Sequence, residues 1–159
     1  MVSLKRKTET AMNNYFDLGH YSRNISNNEQ CQTWFDRGMV WLFAYNHEEA
    51  IFCFEKAIKS DRGCAFAYWG IAYAVGPNYN KHWEVFTPSE KGPTLQKAHE
   101  FIKAGQALPY LTNLEKKLLE ALVQRYPQNP DIEDFQPFSD AFACAMKSIY
   151  EAYSDDLDI

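Results

Sequence analysis

The chain has 159 residues, of which 46% are hydrophobic and 23% are charged, as is typical of one folded domain and not of a disordered chain. Its formal charge is −5 and its basic residues are scattered, which argues against a nucleic-acid partner. The sequence lacks the run of roughly eighteen apolar residues that crosses a bilayer, which argues against a membrane partner. The aromatic share of 16% is high and indicates a core or groove of large flat side chains.

The cysteines and the first residues bear on the compartment. The four cysteines lie far apart, at Cys31, Cys53, Cys64 and Cys144, and form no Cys-x-x-Cys pair. The first seven residues carry three basic side chains and lack the apolar stretch of an export signal. We therefore expect buried thiols in a reducing compartment and a cytoplasmic location.

The chain begins with a polar segment, residues 1–26, in which we expect a short helix from Thr8 to Phe16. Beyond it, apolar residues recur at three- and four-residue spacing and β-branched residues are sparse, which predicts helices and not strands. Helix-capping patterns at residues 26–29 (Ser-Asn-Asn-Glu), 46–49 (Asn-His-Glu-Glu) and 112–115 (Thr-Asn-Leu-Glu) predict where three of these helices begin. The expected helices of this domain, residues 27–159, cover about 27–45, 46–60, 64–75, 94–107, 112–126 and 137–153.

Between the third and fourth helices, residues 76–93 contain three prolines, two glycines and two asparagines. Prolines and glycines interrupt regular structure, so this composition predicts a long ordered loop inserted into the domain.

Small and aromatic residues recur along the first two helix pairs. In the first pair they are Trp34, Gly38, Trp41, Ala50, Phe54 and Ala57. In the second pair Trp69, Gly70 and Tyr73 restore the pattern, with Gly70 placed 32 residues after Gly38, and Ala98, Ile102 and Gly105 follow the loop. A period of about 34 residues in paired helices is typical of the tetratricopeptide repeat. Small residues at these positions would let two helices approach closely, while the aromatic rings fill the flanks.

These residues resemble the tetratricopeptide-repeat (TPR) signature, except at Arg37, where leucine is usual, and Arg62, where proline is usual. Residues 34–38, 46–50, 67–70 and 76–81 are also similar to a subgroup of longer TPR-domain proteins of undefined role. The resemblance covers residues 15–159 and implies an all-α fold, in which antiparallel helix pairs stack as a right-handed superhelix. A generic helical bundle is the alternative.

The subgroup's solenoid continues past residue 159, so the resemblance implies a chain truncated at its C-terminus. Solenoids need a polar capping helix at each end, and we expect the apolar face of the last helix to be partly uncovered. Tyr15, Phe16 or a second copy of the chain could cover it, which leaves self-association through this end open.

Two candidate binding regions stand out. The first is a concave apolar groove lined by Phe35, Met39, Leu42, Phe43 and Ile71. The second is the aromatic part of the loop, Asn78, Tyr79, Asn80, Lys81 and Trp83, whose polar and aromatic side chains are typical of contact surfaces. The groove lacks the Lys, Arg and Asn that acidic tails require, so we expect an apolar or helical partner segment. Alternatively, Tyr15, Phe16 and Leu18 fill the groove, and the loop closes one end of the solenoid with Tyr79 and Trp83 buried.

Catalytic and metal motifs are missing from the sequence. His20, His47, His82 and His99 do not have the spacing of metal ligands, and His47-Glu48-Glu49 lacks the second histidine of a zinc-protease helix. We expect no catalytic, metal or cofactor residues. The predicted function is a non-enzymatic protein-interaction scaffold or adaptor, and the alternative is an accessory protein that binds a small apolar molecule in a metabolic pathway.

Overall fold

The computed structural model describes residues 17–159, which form helices and no β-strand. The expected all-α class is confirmed, while the helix expected from Thr8 to Phe16 lies outside the described residues. The α-helices are α1 (Glu29–Phe43), α2 (His47–Ser60), α3 (Ala65–Ala74), α4 (Pro88–Gln106), α5 (Asn113–Arg125) and α6 (Gln136–Ala152). A short 3-10 helix, Trp83–Val85, precedes α4.

Two of the expected capping patterns begin helices as the sequence predicts. The Asn46 side chain accepts a hydrogen bond from the backbone N–H of Glu49 at 3.3 Å, and α2 follows. The Thr112 hydroxyl accepts from the backbone N–H of Glu115 at 3.2 Å, while the Glu115 carboxylate accepts from the Thr112 N–H at 2.7 Å. These bonds satisfy N–H groups that the first helical turn leaves without partners.

The cap of α1 differs from the expected one. Asn28, and not Ser26, is the capping residue, and its side chain accepts from the backbone N–H of Cys31 at 3.0 Å. Ser26 accepts instead from the Asn28 N–H at 3.0 Å and donates to the Asp61 carboxylate at 2.6 Å. The serine therefore joins the start of α1 to the end of α2.

Helix α4 begins six residues before the predicted start at 94, so the expected loop of 76–93 is wrong at its far end, and residues 75–87 connect α3 to α4. Thr87 and Glu90 form a capping box, in which the Thr87 N–H donates to the Glu90 carboxylate at 2.8 Å. Pro88 occupies the first helical position, where a missing N–H costs nothing, because that group has no helical partner. Pro93 lies inside the helix, where it has no N–H to donate to the backbone carbonyl four residues earlier.

The Phe54 ring lies between two glycines, one from α1 and one from α3. A Cβ atom added to Gly38 would lie 2.5 Å from the ring, and one added to Gly70 would lie 2.7 Å from it. Phe35 completes this arrangement, with its ring centroid 5.7 Å from that of Phe54. The small residues of the repeated pattern therefore do allow close packing, and we call these four residues the Phe54 cluster (Phe35, Gly38, Phe54 and Gly70).

The remaining signature residues lie in or beside the same core. Ala50 and Ala57 are fully buried, whereas Trp34 and Trp41 are half-buried. Trp34 packs edge-on against Phe52, with ring centroids 6.1 Å apart.

Successive helices pack against one another along the chain: α1 on α2, α3 on α4 and α5 on α6. The first helices of these pairs also touch, α1 with α3 and α3 with α5. Gly105 of α4 allows the approach of α5, because a Cβ there would lie 3.0 Å from the Leu119 side chain.

Two aromatic residues in the second half of the connection between α3 and α4, Trp83 and Phe86, are buried. The Trp83 ring stacks on Phe135 with centroids 4.4 Å apart, and Phe86 lies 4.9 Å from it. The hydroxyl of the neighbouring Tyr126 donates to the Ala72 carbonyl at 2.6 Å, and burial raises the pKa of Tyr126 to about 12. This half of the loop therefore closes the core beside α5.

Candidate binding cavity

A cavity of about 590 Å³ lies between α1, α3, α5, α6 and residues 75–87. Its wall is largely apolar and aromatic, with a few polar groups. The lining residues are Met39, Leu42, Phe43, Tyr45, His47, Trp69, Tyr73, Pro77, Asn78, Tyr79, Arg125, Ser139, Phe142, Met146, Asp158 and Ile159. Small-molecule sites in proteins commonly have such volumes and such walls.

Three exposed aromatic residues line this cavity at its mouth. The exposed fractions are 56% for Phe43, 54% for Tyr45 and 83% for Tyr79. Tyr45 ends the turn after α1 with a positive φ of 60°, which is unusual for a residue other than glycine. Its ring lies 6.2 Å from that of Tyr79, so the α1–α2 turn and the loop meet there. We call Phe43, Tyr45 and Tyr79 the aromatic mouth.

Arg125, the last residue of α5, is the cationic group of the cavity wall, and only 8% of it is exposed. Its Nη2 donates to the Pro77 carbonyl, and its guanidinium carbon lies 4.6 Å from the Tyr73 ring centroid and 4.8 Å from that of Phe142. Its buried Nη1 has no hydrogen-bond partner among residues 17–159. None of the ion pairs between described residues involves Arg125.

Arg125 is not among the binding residues predicted from the sequence, although its position in α5 carries a signal. Leu118, Ala121 and Leu122 form the buried stripe of α5, and Arg125 extends it at spacings of three, four and seven residues. A basic residue in the last turn of a helix usually points to solvent and compensates the helix dipole. Its position on an apolar stripe was the evidence for burial. The expectation that the groove lacks arginine is thereby corrected.

The expected groove residues fall into two groups. Phe35 and Ile71 are fully buried in the core, so a partner cannot contact them at the surface, and we withdraw them as binding residues. Phe35 is inward because it packs on Phe54 and Phe66. Met39, Leu42 and Phe43 do line the cavity, with Met39 and Leu42 buried in its wall.

The expected loop residues are also divided. The alternative to a binding loop is a loop that closes one end of the solenoid with both Tyr79 and Trp83 buried. Trp83 is buried and does not line the cavity, as that alternative requires, whereas Tyr79 is exposed and contradicts it. Asn78 lines the cavity, and its side chain accepts from the backbone N–H groups of Asn80 and Lys81 at 2.9 and 3.1 Å. This turn holds Tyr79 at the mouth.

Lys81 is engaged within the chain and not held free for a partner. Its Nζ lies 2.7 Å from the Glu90 carboxylate and 4.4 Å from the Phe86 ring centroid. The bond with Lys81, followed by those from Thr87, lowers the pKa of Glu90 to about 2. Lys81 therefore ties the loop to the start of α4.

Residues 153–159, which we call the C-terminal segment, lie against the segment that precedes α1. Both Asp156 carboxylate oxygens accept from Arg23 at 2.6 Å, and Asp158 accepts from Arg23 at 3.0 Å and from the Tyr21 hydroxyl at 2.9 Å. The Arg23 guanidinium holds the pKa of Asp156 below its usual range. Burial and the bond to Asp158 raise the pKa of Tyr21. Asp158 and Ile159 thereby come to line the cavity.

In α6 only Ile149 is buried, while Tyr150 is 55% exposed. Phe142, Ala145 and Met146 of this helix are partly buried and pack against the core, and the incomplete cover expected for the last helix stays a prediction. Tyr15 and Phe16, the expected covering residues, lie outside that range, and self-association through this end stays a prediction.

Residues 17–159 contain no group of three or more His, Cys, Asp or Glu side chains placed to hold a metal ion. His47 Nδ1 lies 3.1 Å from the Tyr45 carbonyl, and His99 Nε2 lies 3.0 Å from the Pro127 carbonyl. Both rings thus have backbone partners. None of the helices in this range combines the length and the hydropathy that a membrane span requires.

No family model, curated protein or solved structure matches this chain.

Proposed function

We propose that the chain is a non-enzymatic protein-interaction module of the TPR type, which binds an apolar or helical segment of a partner protein at the aromatic mouth. The observation that carries this proposal is the placement of three exposed aromatic side chains, Phe43, Tyr45 and Tyr79, around one cavity. Aromatic residues are enriched in interfaces and supply much of their binding energy.

The repeat assignment is supported by the packing around Phe54. Gly38 and Gly70 occupy equivalent positions 32 residues apart and contact opposite sides of one ring. The first helices of successive pairs are in contact: α1 contacts α3, and α3 contacts α5. A right-handed superhelix of antiparallel pairs would produce these contacts and would place the cavity on its concave side.

The compartment that we propose is the cytoplasm. Cys31, Cys53 and Cys64 are buried, and thiols that are packed as small apolar side chains suit a reducing environment.

Photo-crosslinking tests the partner proposal. A benzophenone amino acid is placed in cells at Tyr79, or at Tyr110, which is 89% exposed and does not line the cavity. The proposal expects one protein to be crosslinked from Tyr79 and not from Tyr110.

Binding of that protein, once purified, is then measured with Phe43→Ala/Tyr79→Ala and with Tyr110→Ala. The first variant should weaken binding at least about tenfold, because exposed aromatic anchors carry much of the binding energy. The second should leave binding unchanged. Equal affinity for both variants would contradict the proposal.

A second candidate function, a small-molecule-binding accessory protein, is favoured by a different observation. The cavity has a volume suited to one small ligand, and it contains a buried arginine.

A further inference from the structure

Arg125 places a positive charge where water can scarcely reach it. Burying a guanidinium is unfavourable unless an anion and hydrogen-bond acceptors compensate for the lost hydration. Within residues 17–159 it has one acceptor, the Pro77 carbonyl, and three flanking rings, those of Tyr73, Tyr126 and Phe142, and its Nη1 donates to nothing. The cavity wall therefore presents an uncompensated cation.

A second unused donor lies in the same wall. Trp69 is 9% exposed and lines the cavity, and its Nε1 has no hydrogen-bond partner among the described residues. Its ring stacks on Tyr73, with centroids 5.2 Å apart, and Tyr73 in turn flanks Arg125. The Arg125 guanidinium and the Trp69 indole N–H, which both lie beside the Tyr73 ring in this wall, are donors that a carboxylate accepts from.

The remaining wall favours a monoanion with an apolar body. Asp158 also lines the cavity, where Arg23 and Tyr21 hold its carboxylate in place. The negative charge of Asp158 would repel the second charge of a dianion. Met39, Leu42 and Met146 provide apolar surface for the rest of the ligand.

We propose that the cavity binds a small organic acid, whose single carboxylate pairs with Arg125 and accepts from the Trp69 indole N–H while its apolar body packs on the methionine and leucine side chains. This inference rests on the second candidate function above. Both donor atoms, Nη1 of Arg125 and Nε1 of Trp69, are covered in the structure, so binding includes a shift of the surrounding side chains, as is common on complex formation.

Calorimetric titration of the purified chain tests the proposal. The probes are 3-phenylpropionate and hexanoate, each compared with its neutral amide. The acids should bind at least about tenfold more tightly than the amides, because the amides keep the shape and lose the charge.

Two variants assign the donors. Arg125→Met should abolish the preference for acid over amide. Trp69→Phe, which keeps a ring and loses the N–H, should weaken acid binding severalfold and amide binding by a smaller factor, because the amide carbonyl accepts a neutral and therefore weaker hydrogen bond. Circular dichroism verifies that each variant is folded. If Arg125→Met does not fold, the effect of Trp69→Phe and the difference in affinity between acid and amide still test whether the cavity binds a carboxylate.

Three results would overturn the inference. Equal binding of acids and amides would contradict the role of the carboxylate but would still support a small-molecule-binding function. No binding of either would contradict both the organic-acid proposal and the small-molecule function. Tighter binding of the peptide acetyl-Gly-Gly-Gly-Phe than of 3-phenylpropionate would assign the site to a chain end of a protein and not to a free acid.

Discussion

Helix α3 contributes to two regions that differ in chemistry. Gly70 contacts Phe54 in a cluster where every group is apolar, whereas Trp69 and Tyr73 line the cavity that contains Arg125. In the Phe54 cluster, burial and close contact serve stability. In the cavity, two buried donors lack acceptors among the described residues, and such unsatisfied donors destabilise the folded state. Substitutions in the two regions should therefore differ in what they change.

The largest effect is expected for Phe54→Ala. This substitution leaves a void between Gly38 and Gly70, and the free energy of unfolding should fall by about 3–5 kcal/mol. Urea denaturation measures the loss. The control Phe52→Ala removes a ring that is 38% exposed and should cost less than about 1.5 kcal/mol. Similar losses for both variants would show that Phe54 does not join α1 to α3.

Adding one methyl group to the same cluster should have the next largest effect. Gly70→Ala forces a Cβ to within 2.7 Å of the Phe54 ring, and we expect a loss of about 1–3 kcal/mol. Gly92→Ala in α4 is the matched control, because nothing lies within 4 Å of its added Cβ. That variant should be more stable than wild type by about 0.5–1 kcal/mol. Thermal unfolding separates the two, and a stabilised Gly70→Ala would contradict the packing.

Asp156→Asn should cost about 1–2 kcal/mol near neutral pH, since it removes charge-assisted hydrogen bonds to Arg23. Arg23 holds the pKa of Asp156 below its unfolded value of about 3.9. The stabilisation is therefore complete above that value and is lost as the pH falls through the lowered folded pKa. Urea denaturation of variant and wild type should accordingly converge in acid. Asp155→Asn, at an exposed neighbour, should change little at any pH, and a pH-independent loss in Asp156→Asn would contradict the ion pair.

The smallest effect on stability is expected in the cavity. Arg125→Met loses the bond to Pro77 and removes an unpaired buried charge, and these contributions offset each other to within about 1 kcal/mol. Chemical denaturation measures the change in the free energy of unfolding, and Arg62→Met, at an exposed arginine, is the control. A loss close to that of Phe54→Ala would make Arg125 a structural residue and would remove the distinction between the two regions.

The parts of the fold that the sequence predicts are those with local signals. Asn46 and Thr112 begin helices because each cap needs only a residue three positions away. Gly38 and Gly70 were found because their pattern repeats. The start of α4 was missed because Pro88 and Pro93 suggested a loop, whereas Thr87 and Glu90 form a cap around the first of them.

The parts that could not be predicted depend on distant residues. Arg23 and Asp156 are 133 positions apart, and nothing near either residue indicates the other. The burial of Phe35 likewise depends on other helices, because its ring packs on Phe54 of α2 and on Phe66 of α3. Arg125 lies in the cavity because α3 and α6 place Tyr73 and Phe142 beside it.

The ion pair between Arg23 and Asp156 also affects how the molecule comes apart. A stack of helix pairs in which only neighbours touch can fray from either end, one unit at a time. Here the segment before α1 is bonded to the C-terminal segment after α6, so unfolding of the last helix from its end first breaks the bonds that join Asp156 and Asp158 to Arg23. The two extremities thus share one opening free energy, and amide hydrogens of α1 and α6 should exchange with solvent at linked rates.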